Sequence, residues 1–136
     1  MGLVFEEVTL KNSRDVTNAG CGIINEREIH QKTVKALVDT GAFTLAIDEE
    51  LRQELGLEIT GRKKVALANN EKVIYQRTEP VDIHWKDRSA SIRAVVLPET
   101  NNILLGALPL EEMDLIVDPA REKLIGRHGD DEVHFL

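Results

Sequence analysis

Apolar and polar positions alternate over most of the chain with the two-residue period of extended strands. Val4, Glu6, Val8 and Leu10 alternate with Phe5, Glu7 and Thr9 until Asn12-Ser13 ends the run. Residues 17–26, rich in Asn and Gly, read as a loop, and Glu28–Val38 is a second extended stretch leading into Asp39. Arg62–Ala68 and Lys72–Arg77 flank Asn69-Asn70, a pair that tolerates positive φ and so predicts a hairpin. Pro80–Trp85 and Ala90–Leu97 predict a second hairpin around Lys86-Asp87-Arg88-Ser89. Leu115–Asp118 and Lys123–Ile125 predict a third around Pro119-Ala120-Arg121-Glu122. Only two segments carry helix signals. Asp48–Leu55 has an Asp N-cap, Glu49 and Glu50 in its first turn, and Gly56 as its stop. Ala107–Met113 has Pro109 near its start. Closely spaced strands with one or two short helices predict a mostly β barrel or sandwich.

Composition narrows the classes without selecting one. A chain of 136 residues with 42% apolar and 30% charged residues fits one folded domain spanning 1–136. No apolar run approaches the roughly 20 residues of a membrane helix, so no membrane partner is expected. The start, Met1-Gly2-Leu3-Val4-Phe5-Glu6-Glu7, has no basic segment followed by a long apolar stretch, so no secretory signal is expected. With 17 basic against 24 acidic residues and a net charge of −7, a nucleic-acid partner is not expected either. The single Cys21 can form neither an internal disulfide nor a cysteine zinc cluster, which points to a reducing, cytoplasmic setting. His30, His84, His128 and His134 lack metal-ligand spacing, and no glycine-rich phosphate loop is present, so neither metal nor cofactor is expected. Lys63-Lys64 with Arg62 read as a solvated strand face, and Trp85 as a core or interface residue.

The chemistry concentrates in Ala36-Leu37-Val38-Asp39-Thr40-Gly41-Ala42. A strand delivers a carboxylate to its end, Gly41 lets the backbone turn close to it, and Thr40 supplies a hydroxyl that both donates and accepts. An Asp, a Ser or Thr, a Gly and an Ala or Ser in succession arise by chance in roughly one chain in a hundred of this length, and the two apolar residues ahead lower that several-fold. A second segment repeats the grammar some 65 residues on: Asn102-Ile103-Leu104-Leu105-Gly106-Ala107-Leu108-Pro109 is an apolar pair, a Gly and a helical turn. The repetition points to two similar halves about a pseudo-twofold axis.

With these two loops the chain resembles the retropepsin-like aspartic proteases, from about Leu3 to Gly126, and most closely small stand-alone prokaryotic members. The resemblance rests on Val38-Asp39-Thr40-Gly41-Ala42, Leu55-Gly56-Leu57, a hairpin around Ala68–Val73, and Leu104-Leu105-Gly106 ahead of Val117-Asp118-Pro119. It implies a closed, barrel-like acid protease fold and an aspartic endopeptidase. Asp39 would be the catalytic carboxylate, with Thr40, Gly41 and Ala42 supporting it. Leu104, Leu105 and Gly106 would pack beneath the loop, and Ala68, Asn69, Asn70 and Glu71 would form a flap over the substrate. Ala107 stands where retroviral members usually carry Arg or Asn, the flap tip lacks their glycines, and Phe43 makes the floor more apolar.

Peptide hydrolysis of this kind needs two carboxylates, one ionised to take a proton from water and one protonated to polarise the carbonyl. The chain has one Asp-Thr-Gly; Asp114 and Asp118 are followed by other residues. A homodimer would supply the second copy across its axis, with the Leu3–Leu10 strand and Val133-His134-Phe135-Leu136 as candidate interface pieces, and an extended polypeptide as substrate. The alternative is a non-catalytic dimerisation or peptide-binding module on the same scaffold.

Overall fold

The computed structural model describes residues 2–98 and 102–136. Its elements run β1 (Phe5–Asn12), α1 (Ser13–Gly20), a 3₁₀ turn (Glu26–Glu28), β2 (Gln31–Val38), β3 (Ala46–Asp48), α2 (Glu49–Glu54), β4 (Ile59–Ala66) and β5 (Lys72–Trp85). They continue with β6 (Arg88–Leu97), β7 (Ile103–Leu105), α3 (Ala107–Glu112), β8 (Leu115–Asp118) and β9 (Lys123–Gly126). The main sheet has the order β1-β2-β7-β3-β6-β5-β4, and β1 also pairs with β5 from Thr9↔His84 to Asn12↔Val81. That extra ladder closes six strands into a barrel and leaves β4 outside it, attached to β5 alone. The predicted barrel is therefore present, with β8 and β9 as a separate hairpin.

The barrel fills because alternate residues of each strand point inward. Val8 and Leu10 of β1, Val81, Ile83 and Trp85 of β5, and Leu105 of β7 meet Leu45, Ile47, Leu55, Leu57 and Met113 in one buried cluster. Trp85 is a core residue, and its indole N–H donates to Glu6 Oε1 at 3.0 Å.

Two expectations need correcting. Residues 17–26 are not all loop, because the chain turns directly from β1 into α1, a third helix. The fully buried Asn12 explains it. Its side-chain oxygen accepts from Asp15 N at 3.2 Å, an N-cap, and its amide donates to the Leu55 and Gly56 carbonyls at 3.0 and 3.1 Å. Tertiary bonds thus support a helix that its own Asn- and Gly-rich sequence disfavours. The second correction is that β5 does not break before Pro80 but runs 14 residues through it. Pro80 is tolerated because the β5–β6 register shifts between Arg77 and Pro80. The β4–β5 register shifts at the same level, between Ile59 and Gly61, opposite Thr78 and Arg77. β4 and the outer half of β5 therefore form an arm that meets the barrel where both ladders are irregular.

β1 is an internal barrel strand, so only Leu3 and Phe5 of Leu3–Leu10 are exposed apolar side chains. The acidic tail is docked at one point: Asp114 accepts from Val133 N at 3.0 Å and from the His128 ring at 2.8 Å, and Phe135 packs edge-on against His128. Buried Arg88 holds the turn before it, donating to the carbonyls of Met113, Asp114 and Gly129.

Candidate active site

β2 and β7 run parallel with Val38 opposite Leu105, so the two loops predicted from the sequence leave the barrel side by side. Asp39 N donates to Leu105 O at 3.0 Å, and Ala42 N returns to Asp39 O at 3.1 Å, closing a tight turn. The half-buried Asp39 carboxylate accepts from Gly41 N through Oδ1 at 2.9 Å. A Cβ on Gly41 would stand 3.2 Å from that oxygen, closer than an ordinary van der Waals contact. Glycine here lets the amide approach the carboxylate.

The second loop is built against the first. Ala107 N and Leu108 N, at the start of α3, donate to Ala42 O and Phe43 O at 2.8 and 3.0 Å. The Gly106 N-cap has no side chain, so carbonyls of the Asp39 loop satisfy the helix's first amides. A Cβ on Gly106 would lie 2.4 Å from Thr44 O and 2.5 Å from Ala42 O. Buried Thr44 fixes the far end of the loop by donating to Arg93 O at 3.1 Å. Leu104, Leu105 and Gly106 thus lie against the Asp39 loop.

Asp39 opens onto a groove of about 580 Å³. Its floor carries Phe43, Ala46, Val95, Leu97 and Leu104, and the β4–β5 arm covers it with Lys63, Val65, Leu67, Ala68 and Tyr75. Of the four expected flap residues, Ala68 lines the groove. Asn69, Asn70 and Glu71 form the exposed tip, where Asn70 has φ 68° and Glu71 N donates to Asn69 Oδ1 at 3.0 Å. Sequence reasoning missed Lys63, Lys64 and Tyr75 at the groove. The signal was available: counting back from the Asn-Asn turn pairs Lys63 with Tyr75, which places both on one face of the arm.

Thr40 points away from this groove, lining a smaller depression with Leu3, Val4, Val38, Val117 and Pro119. Among the described residues its hydroxyl and Asp39 Oδ2 have no hydrogen-bond partner within the chain. A carboxylate and a hydroxyl presented together at the surface can each engage a matching group on a second molecule.

Comparison with known proteins agrees with this geometry. Residues 25–112 match the family described as "gag-polyprotein putative aspartyl protease". No curated protein matches the chain. The match spans more than half of the sequence and takes in both loops and the whole arm. The chain therefore belongs to the retropepsin-like aspartyl proteases.

Proposed function

We propose that the protein is an aspartic endopeptidase assembled from two copies of this chain, each contributing Asp39. The observation that carries the reading is the half-made site: one carboxylate on a groove, with Oδ2 and the neighbouring Thr40 hydroxyl unsatisfied within the chain. A twofold axis through the loop places each Asp39 opposite its copy and lets each Thr40 bond across the axis. Two carboxylates within about 3 Å of each other do not both ionise, so the pair holds one proton. The ionised Asp39 takes a proton from a water bridging the two while the protonated one donates to the scissile carbonyl oxygen. The water oxygen bonds to the carbonyl carbon, forming a tetrahedral diol. Collapse of the diol breaks the C–N bond: the protonated Asp39 gives its proton to the leaving nitrogen, the ionised one takes a proton from a diol hydroxyl, which becomes the carboxyl C=O, and the pair again holds one proton. The arms close over an extended polypeptide that pairs through its backbone.

The test is cleavage of a mixed peptide library, with sedimentation to measure assembly. Wild-type protein is expected to cleave as a dimer, and Asp39→Asn to remain a dimer with cleavage lowered at least about a thousandfold. A monomer that cleaves, or an Asp39→Asn variant that retains activity, overturns the reading. A dimer that binds peptides without cutting them is the non-catalytic module.

A further inference from the structure

The charge of this chain is unevenly placed. The whole carries −7, yet the arm from Ile59 to Arg77 holds Arg62, Lys63, Lys64, Lys72 and Arg77 against the single carboxylate Glu71. Lys63 and Lys64 reach the groove, where Asp39 is the only lining carboxylate among the described residues. Lys63 pairs with half-buried Tyr75, and Lys64 with exposed Ile74, so Lys63 belongs to the inner face of the arm. Among the described residues neither lysine has an ion-pair partner, whereas Arg14, Lys32, Arg52 and Arg121 each have one. The floor beneath is apolar, through Phe43, Val95, Leu97 and Leu104.

An occupant of this groove meets an apolar floor and a cationic roof edge. We infer that Lys63, with Lys64 beside it, selects polypeptide segments carrying a Glu or Asp next to the apolar residues that fill the floor. The inference rests on the groove being the substrate site of the proposed protease. Set against the net charge of −7, the arm is a cationic stretch at the groove, so its attraction for an acidic segment is local. The lysines are already solvated and unpaired, so recruiting them breaks no internal bond. Because they are exposed, the effect is modest per contact and sensitive to salt.

The experiment separates selectivity from catalysis. Two fluorescent peptides are compared, identical except for Glu or Gln beside the apolar pair, first by binding to Asp39→Asn protein and then by cleavage with wild-type protein. The Glu peptide is expected to bind about three- to tenfold tighter at low ionic strength and to lose most of that advantage at about 0.5 M salt. Lys63→Glu is expected to reverse the Glu-to-Gln ratio and Lys63→Gln to bring it near one. Lys72→Glu, the same charge change on the outer face of the arm, should leave the ratio close to wild type. A ratio near one in the parent protein, or a preference that survives Lys63→Glu, overturns the inference. Selective binding by a wild-type protein that cuts neither peptide overturns the catalytic reading and leaves the selectivity standing.

Discussion

Gly106 shows how far one missing methyl group can matter. The carbonyls that cap α3 are those of the Asp39 loop, and they come so close to Gly106 that any Cβ would overlap backbone atoms, which cannot swing aside as a side chain could. Gly106→Ala is expected to cost about 2–3 kcal/mol, read as a lowered urea midpoint, and to displace Asp39 enough to reduce cleavage sharply. An unchanged midpoint would mean the two loops are not packed as described. Asp39, Thr40 and Gly41 were legible in the sequence because their chemistry is local: acid, hydroxyl and glycine are consecutive. For Lys63 and Tyr75 the turn gives their pairing on one face of the arm, but that this face closes over the groove depends on the fold of the arm, which no short string encodes. Lys63 in isolation has the appearance of any solvated strand lysine.

At the level of elements, the three hairpins were readable from their turns, α2 from its Asp48 cap and Gly56 stop, and α3 from Pro109 near its start. α1 was not, because the bonds that hold it lie far along the chain. Asn12 reaches Leu55 and Gly56, Asp15 accepts from His30 N at 2.9 Å, and Arg14 makes two bonds to Glu79. The arm is an element of a different kind. It leaves the barrel at a line where both ladders shift register and where Thr78, rather than a carbonyl, accepts from Ala94 N at 3.1 Å. Beyond that line β5 keeps β6 only at Gln76 and Arg77, and from Lys72 to Tyr75 its one partner among the described residues is β4. Amides of Val73 to Tyr75 are expected to exchange with deuterium about a hundredfold faster than those of Val81 to Trp85, because that stretch pairs with β4 alone and opens without breaking the β5–β6 ladder. Equal rates along β5 would show that arm and barrel move as one body.

For the whole molecule, acid is the condition that matters most. The Arg14 guanidinium, assisted by the Glu58 amide, holds Glu79 below the usual carboxylate range against the opposing effect of burial. At Asp15 burial is the largest single influence and acts upward, but the His30 amide and ring together with Arg14 carry the net shift down. The His128 ring and the Val133 amide lower Asp114. A carboxylate held low in the folded state stabilises fully above its unfolded value and progressively less as pH falls toward its folded value. The stability these three carboxylates supply is therefore expected to be complete above about pH 5 and to be lost progressively below it, as unfolded carboxylates begin to protonate. Urea midpoints across pH 3–7 would check this, and Asp15→Asn should flatten the fall. A midpoint that rises on acidification would contradict it. Activity lost at low pH should accordingly be compared with the unfolding curve before it is assigned to the Asp39 pair.

The outer margin of β4 is an open sheet border, a row of backbone amides and carbonyls of the kind on which chains template one another into fibrils. A copy approaching to zip along that border would bring its own Arg62-Lys63-Lys64 against the same three cations. Mutual repulsion is expected to oppose such pairing, while a ligand of opposite sign meets no such barrier, so Lys63 and Lys64 would act against self-association as well as in selectivity.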